Sequence, residues 1–570
     1  MNDDGHELLN RLKRLNSIGV ALSSEKDGKR LLERILEAAR SLTGADGGTL
    51  YTKTEAGLNF EILLSESLGI HKGGTSGEPI TFPPLPLEDE KGQSNLHMVA
   101  VCAAVKGYTI NIPDAYEDTE FEFSGTRKFD AQMNYRSKSF LTVPMRDHQN
   151  AVIGVLQLIN AIDPVTQEIR TFSHWDQELV ESLASQAAVA LVNQRFIEEQ
   201  RHLFEAFIQL IANAIDDKSP YTGGHCKRVP ELTMMLADAV ARTQQGPPEI
   251  RAFQMSEENR YELWVAGMLH DCGKITTKEY VVDKGTKLET IFDRIHLIDT
   301  RFEVLKRDAE IALLQRQVQA LQTGTALDFA ADAAALANTQ ALLDEERQFL
   351  RTANVGGEYM SDAAQARVQQ IAARRWIGPD GQSMNLLLND YDTEQRYYPV
   401  KADEIRSPED LRHSKGELEN LCIPKGTLRP AERDHINHHI TATLNMLNSL
   451  PYPKNLSQVP EFAGGHHERM DGKGYPKGLA RDSMSLQARM MGIADIFEAL
   501  TAGDRPYKNA MPLSQALKIL SKMKAEQHID PDLFDVFVRE QVYQQYAQKY
   551  LHSEQLDAVD IAALLGTQRQ

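Results

Sequence analysis

Cysteine is scarce in this chain of 570 residues: Cys102, Cys226, Cys272 and Cys422 are the whole complement, and no two form a C-x-x-C pair. A disulfide framework is excluded, and a reducing cytoplasm is the simplest compartment. Positive charge is also in deficit, with Lys+Arg 62 against Asp+Glu 81 and a net charge of −19. No general nucleic-acid partner or anionic-membrane binder is expected, and an anionic substrate would have to be met by local cations. No uninterrupted apolar run approaches the ~18 residues that span a bilayer. The opening MNDDGHELLNRLKRLNS lacks an apolar signal core, so membrane insertion is not expected. What remains is ordinary globular material, 42% hydrophobic and 25% charged, enough for two to four units at about 150 residues each.

The first segment opens with helical spacing at Leu31, Leu32, Ile35 and Leu36, then changes period. GTLYTKT and NFEILLSES alternate apolar and polar residues as strands do, and SKSFLTVPMRD and NAVIGVLQLINA read as two strands joined by a polar turn. The order of helix, strand pair, Pro- and Gly-rich middle, strand pair and closing helix resembles a GAF domain, most specifically in SFLTVPMRDHQNAVIGVLQLIN. That resemblance implies an α/β sensor over residues 1–175, an antiparallel sheet with helices, holding a small-molecule ligand of unknown identity and regulating the second half of the chain. The KFD at Lys128 to Asp130 is too short to carry over a cyclic-nucleotide fingerprint.

From Ser173 to Asp216 the helical pattern runs without Pro or Gly, a rod of about 65 Å. Residues 176–216 are taken as a connecting helix. Leu183, Ala187, Ala190, Gln194, Ile197, Arg201, Phe204, Ile208, Ile211 and Ile215 step by four and three, the period of a coiled-coil seam, so a homodimer through this helix is expected. The other reading is that these residues pack on their own domains, since Gln194 and Arg201 interrupt the stripe. Residues 288–420 differ in composition: LDFAADAAALANTQALLDEERQFLRTA is rich in helix formers, and Ser361 to Trp376 reads as another helix. This segment is expected to be a mainly helical insertion, because the residues on its two sides belong together chemically. Residues 551–570 form a tail.

The chemistry lies in YTGGHCKRV, LHDCGK, LRPAERDHINHHIT, AGGHHERMDGKGYPKGL and MGIADIFEALTAGDRPYK. A lone His on a helix is most often a packed residue. An adjacent His270 and Asp271 after an apolar stretch is costly to bury unless paired or metal-bound, and the adjacent His466 and His467 strengthen the reading of a metal centre. Imidazole and carboxylate without thiolate disfavour structural zinc and suit iron, manganese or a similar divalent ion.

These motifs together resemble an HD-GYP domain, the HD-superfamily phosphohydrolases that open cyclic di-GMP, over residues 217–287 and 421–550, which would form an all-α domain. HDCGK matches HD-x-G-K, HHE with DGKGYP matches the His-His-Glu and Gly-Tyr-Pro signature, and ADIFEALTAGDRPYK matches the closing helix. The resemblance implies two divalent metal ions, iron or manganese. His225, His270, Asp271 and Asp495 would hold the first, and His439, His466 and His467 the second, with Asp271 shared. The register of ERDHINHHITAT selects His439 over its neighbour His438, and His435 lies one turn earlier. Some relatives hold a third metal with a carboxylate where Tyr221 stands here, so two are expected. Asp271 and Lys274 would be catalytic, Lys274 protonating the leaving oxygen. Gly474, Tyr475 and Pro476 would line the substrate cleft, while Arg505 and Lys508 would contact phosphate or guanine. The implied function is a cytoplasmic, GAF-regulated phosphodiesterase taking cyclic di-GMP to pGpG, with an onward step to GMP left open. The alternatives are an HD-superfamily hydrolase of another nucleotide and a receptor for cyclic di-GMP with weak turnover.

Overall fold

The computed structural model describes residues 2–25, 27–89, 91–218, 224–357, 359–378, 381–388, 416–503 and 510–566. The chain divides into two compact units, Met1–Glu205 and Ala206–Gln570.

In the first unit α1 (Asn2–Ser24) is followed by α2 (Gly28–Thr43), whose N-terminus is capped by the Asp27 carboxylate, which accepts from the amides of Lys29 and Arg30. Gly44, with φ 68°, ends the helix in the left-handed conformation. Seven strands come next: β1 (Ala45–Lys53), β2 (Leu58–Ser65), β3 (Ile70–Gly73), β4 (Ile110–Ile112), β5 (Phe140–Arg146), β6 (Val152–Ile162) and β7 (Ile169–Arg170). They form one antiparallel sheet in the order β3-β2-β1-β6-β5-β4, with β7 beside β6 and Thr49 opposite Gln157. The expected alternation fails in β1, where eight of nine residues are buried, because both faces of the sheet are covered. One face packs Leu50, Leu141 and Leu156 with Leu36 of α2 and Leu183. The other packs Tyr51, Phe140 and Val155 with α3 (Val99–Lys106), and α4 (Ser124–Met133) comes after it.

The connecting helix is continuous, α5 (His174–Lys218), 45 residues. Four residues of its expected seam, Leu183, Ala187, Ile208 and Ile215, are buried within the chain. Ile197 and Ile211 of the seam are exposed, as are Trp175, Val189, Phe196, Leu203, Phe207 and Leu210 off it. The exposed apolar face of α5 thus shares Ile197 and Ile211 with the expected seam, and Phe196, Leu203 and Leu210 lie beside it.

Among the described residues, the second unit is helical apart from a two-stranded hairpin. Its centre is built from α6 (His225–Arg242), α7 (Glu257–Leu269) and a short turn of tight helix, Cys272–Thr276. The insertion supplies α8 (Ile295–Thr323), α9 (Phe329–Asn354) and α10 (Asp362–Ala372) around a core of its own, with Phe302, Leu350 and Val368 inside. Trp376 departs from the expected helix. It lies in β8 (Arg375–Ile377), opposite Met384 of β9 (Ser383–Asn385), and its indole donates to the Asn385 carbonyl at 3.2 Å. The chain then supplies α11 (Pro430–Asn448), α12 (Val459–Gly464), α13 (Leu486–Thr501), α14 (Leu513–Ala525), α15 (Pro531–Arg539) and α16 (Val542–Tyr550). Residues flanking the insertion are tied together by a buried ion pair, Lys284 Nζ to Glu432 Oε2 at 2.8 Å. Among the described residues no helix is long and apolar enough to cross a membrane.

Candidate metal centre

Backbone approach decides where the ligands meet. α7 is capped by Ser256, whose hydroxyl accepts from the Asn259 amide at 3.1 Å, and it ends at Leu269, just before His270. At Gly273 a Cβ would sit 1.9 Å from the His439 carbonyl oxygen, so only glycine lets this turn lie against α11. The Gly273 amide donates to Thr443 Oγ1 at 2.9 Å, fixing that approach and bringing Asp271 to His439. His225 opens α6, His466 and His467 come just after α12, and Asp495 projects from α13. Within α11, His439 is buried and His438 exposed, the choice that register expects.

Seven side chains converge. His225, His270 and Asp495 place ligand atoms within 4.8 Å of one another, as do His439, His466 and His467, and as do His270, Asp271 and His466. Asp271 stands between the groups: its Oδ2 is 3.2 Å from Nε2 of both His225 and His270, while its Oδ1 is 3.3 Å from His439 Nε2. His225 Nε2 is also 3.3 Å from Asp495 Oδ1. The far ring nitrogens are held from behind. His270 Nδ1 bonds the Gly267 carbonyl and His466 Nδ1 the Ala463 carbonyl, each at 2.6 Å, and His439 Nδ1 bonds the Ile436 carbonyl. A backbone carbonyl only accepts, so each Nδ1 carries the proton and each Nε2 presents a lone pair. The Nε2 atoms of His225, His270, His439 and His466 and the Asp271 Oδ1 are buried without a hydrogen bond. Orphaned acceptors of this kind are rare in folded chains, and their convergence fits cations.

The electrostatics agree. Burial, with its imidazole neighbours, pushes His466 far below the ordinary histidine range and His467 down to about 4, so both are neutral imidazoles at neutral pH. Burial works against the charge of Asp271, yet Lys274 and His270 hold it well below the usual carboxylate range. Burial likewise opposes Asp495, whose pKa is lowered by its bond to His225 and by His466. Lys274 Nζ donates to Asp271 Oδ2, and its pKa is raised by Asp271 and Asp495 against the effect of burial. Burial raises the Cys226 thiol and brings Cys272 to about 11. Neither is a thiolate, in keeping with packing roles.

Two residues, Glu498 and Asp216, escape the sequence reading. Glu498 Oε2 is 2.5 Å from His225 Nδ1, and its Oε1 accepts from Arg228 Nε at 2.7 Å. Burial disfavours a charged His225, but Glu498 lifts it well above its ordinary value. The available signal was position: Glu498 follows Asp495 by three residues on one helix, hence on one face. Asp216, in the last turn of α5, accepts from the amides of Gly224 at 3.0 Å and Cys226 at 3.4 Å, the residues on either side of His225. In the Gly-Tyr-Pro loop, Tyr475 stacks on His467 with ring centroids 4.8 Å apart. A Cβ on Gly474 would meet the Arg469 amide nitrogen at 2.4 Å, and Glu468 closes the loop by accepting from the amides of Lys477 and Leu479. The loop thus braces a ligand imidazole. Arg505, Lys508 and Tyr221 lie outside the described residues.

Comparison with known proteins identifies both halves. A GAF domain model matches residues 27–191, and HD domain models match residues 222–337 and 382–533. The chain combines a GAF domain with an HD domain. Both HD matches reach into the expected insertion, so its borders at 288 and 420 remain a proposal. Relatives include the 3'3'-cGAMP-specific phosphodiesterase 1 of Vibrio cholerae, 36% identical over 25% of this chain and 30% of the relative. Another is a probable cyclic di-GMP phosphodiesterase of the same species, 35% identical over 24% of this chain and 32% of the relative. The chain therefore matches about a third of the length of each. A GAF domain/HD domain protein structure from Geobacter sulfurreducens aligns at 16% identity over 31% of this chain and 98% of that one, with a TM-score of 0.22.

Proposed function

We propose that the HD domain is of the HD-GYP type and hydrolyses a phosphodiester bond of cyclic di-GMP to give pGpG, under control of the GAF domain. The observation that carries this is Asp271, whose two oxygens face different imidazoles while those imidazoles present unpartnered Nε2 atoms to a common space. His225, His270, Asp271 and Asp495 would hold one divalent ion and Asp271, His439, His466 and His467 the other, iron or manganese by the hardness of the donors. When bound, such ions offset charge on phosphoryl oxygens and lower the pKa of water. Lys274, beside Asp271, is placed to hand a proton to the leaving oxygen. Gly474, Tyr475 and Pro476 would line the cleft, with Arg505 and Lys508 as phosphate or guanine contacts. We further propose a cytoplasmic homodimer through α5, supported by the exposed seven-residue repeat of Phe196, Leu203 and Leu210.

A second reading, hydrolysis of 3'3'-cGAMP, is favoured by the names of three relatives, the 3'3'-cGAMP-specific phosphodiesterases 1, 2 and 3 of Vibrio cholerae. Protein reconstituted with iron(II) or manganese(II) and incubated separately with each cyclic dinucleotide, with products separated by chromatography, decides between them. Formation of pGpG supports the first, turnover of cGAMP alone supports the second, and no cleavage of either by metal-loaded protein refutes both.

A further inference from the structure

The GAF domain encloses a cavity of about 390 Å³, within the size range of small-ligand sites. Its wall is aromatic: Tyr51, Phe60 and Phe82 form one run, with successive centroids 4.8 and 5.5 Å apart, and Phe123 and Phe140 pair at 5.3 Å. No Lys, Arg or His lines it among the described residues, and its single charged lining residue is Glu122.

Five polar residues of the wall, Tyr51, Ser65, Tyr135, Ser137 and Gln157, are engaged with the protein. Tyr51 donates to Gln157 Oε1 at 3.3 Å, and Gln157 Nε2 donates to Thr142 Oγ1 at 3.1 Å. Ser65 and Tyr135 donate to Asp46 at 2.9 and 2.7 Å, and Ser137 donates to Asp130 at 2.7 Å. Two buried carboxylates therefore stand behind the wall. Burial works against the charge of Asp46, but the donors around it hold its pKa below the ordinary value. Arg127 and Arg136 stack on Tyr116 at 5.4 and 4.7 Å from its ring centroid and line no part of the cavity.

We propose that this cavity takes an uncharged, largely apolar molecule carrying an aromatic ring, and that it rejects anions, cyclic nucleotides included. A phosphate brought in would lose its hydration and meet Glu122, Asp46 and Asp130 with no cation to replace the water. An uncharged ring meets offset and edge-on aromatic partners and displaces only water. The effector class thus differs from the proposed substrate class, so the HD domain's substrate does not feed back through this site. Because the binding measurement involves no metal and no turnover, it stands or falls apart from the phosphodiesterase reading.

Two fluorescent probes sharing one scaffold supply the test, titrated into the full chain: N-phenylnaphthylamine, which is uncharged, and anilinonaphthalene sulfonate, which carries one negative charge. The neutral probe is expected to bind saturably at least tenfold more tightly than the sulfonate. Phe82 is 49% exposed, so Phe82→Lys is tolerated by the fold. It should weaken the neutral probe severalfold and tighten the sulfonate. Equal binding of both probes, displacement of the neutral probe by cyclic AMP or cyclic di-GMP, or no change in either affinity in Phe82→Lys would each overturn the proposal.

Discussion

Replacing Glu498 tests whether the centre depends on a charge set behind its ligands. The carboxylate is 2% exposed and serves two donors at once, His225 Nδ1 at 2.5 Å and Arg228 Nε at 2.7 Å. Groups that orient a ligating imidazole are worth about 10–100-fold in metal affinity, or about 1.4–2.7 kcal/mol. Glu498→Ala removes both bonds and should sit near the upper end. Glu498→Gln keeps an oxygen for the His225 N–H but loses the charge, and should sit near tenfold. Alanine also removes the Glu498 bond of Arg228. Because that side chain is 18% exposed, the stability loss should fall below the ~3–5 kcal/mol of a broken fully buried pair. Metal content after dialysis against graded chelator reads the affinity, and melting of the metal-free protein reads the fold separately. A folded Glu498→Ala protein that binds metal as tightly as wild type refutes the reasoning. Glu498 would then be only a partner for Arg228.

Four further outcomes are expected. Asp271→Ala should abolish hydrolysis and release metal from both ligand groups, and wild-type metal content by elemental analysis would contradict its shared placement. Lys274→Ala should lose about 10²–10⁴ in turnover while keeping its metals, and metal loss would make Lys274 structural. Asp530 is fully buried, accepts from Arg481 and Arg489 at 2.9 and 2.6 Å, and caps α15. Burial opposes its charge, but Arg481 and the Leu533 amide keep its pKa depressed, so its stabilisation is present above about pH 4 and lost as the pH falls through its folded value. Asp530→Asn should cost about 3–5 kcal/mol at neutral pH and progressively less in acid by urea unfolding, and a pH-independent cost would count against that sign. One residue inserted beside Gln194, turning the downstream helix by about 100°, should change phosphodiesterase activity with metals retained, and seven should largely restore it. Unchanged activity in both insertions would make α5 a passive spacer.

Much of the candidate metal centre is legible in the sequence because its residues are chemically expensive to bury. A buried His-Asp pair and an adjacent His pair have few uses other than cations, and all seven expected ligands do converge. Glu498 and Asp216 were not legible, since a carboxylate on a helix is normally solvated and nothing local marks one that points inward. The two ends of α5 show the same limit. Heptad spacing marks an apolar face but does not say which neighbour covers it, and the chain's own cores take Leu183, Ala187, Ile208 and Ile215 first. Trp376 was misread for a related reason: strand pairing with Met384, distant information in a local reading, overrides the helical run before it.

The last turn of α5 shows how local bonding can join remote function to the ligands. Asp216 supplies to the start of α6 what Gly224 cannot, a side-chain acceptor for its first amides, and so acts as a cap delivered from another helix. Two residues on, Lys218 donates to the carbonyl of Ile275, the neighbour of Lys274. One turn of helix thus touches both the backbone that carries His225 and the turn that carries Lys274. A rotation of that turn cannot keep both bonds, because Asp216 and Lys218 lie about 200° apart around the helix axis and each reaches its partner from its own side. Any register change that arrives along α5 must therefore either break a cap on the ligand helix or shift the proposed proton donor. The two are separable in experiment: Asp216→Ala should lower metal affinity, and Lys218→Ala should alter turnover with metal content unchanged.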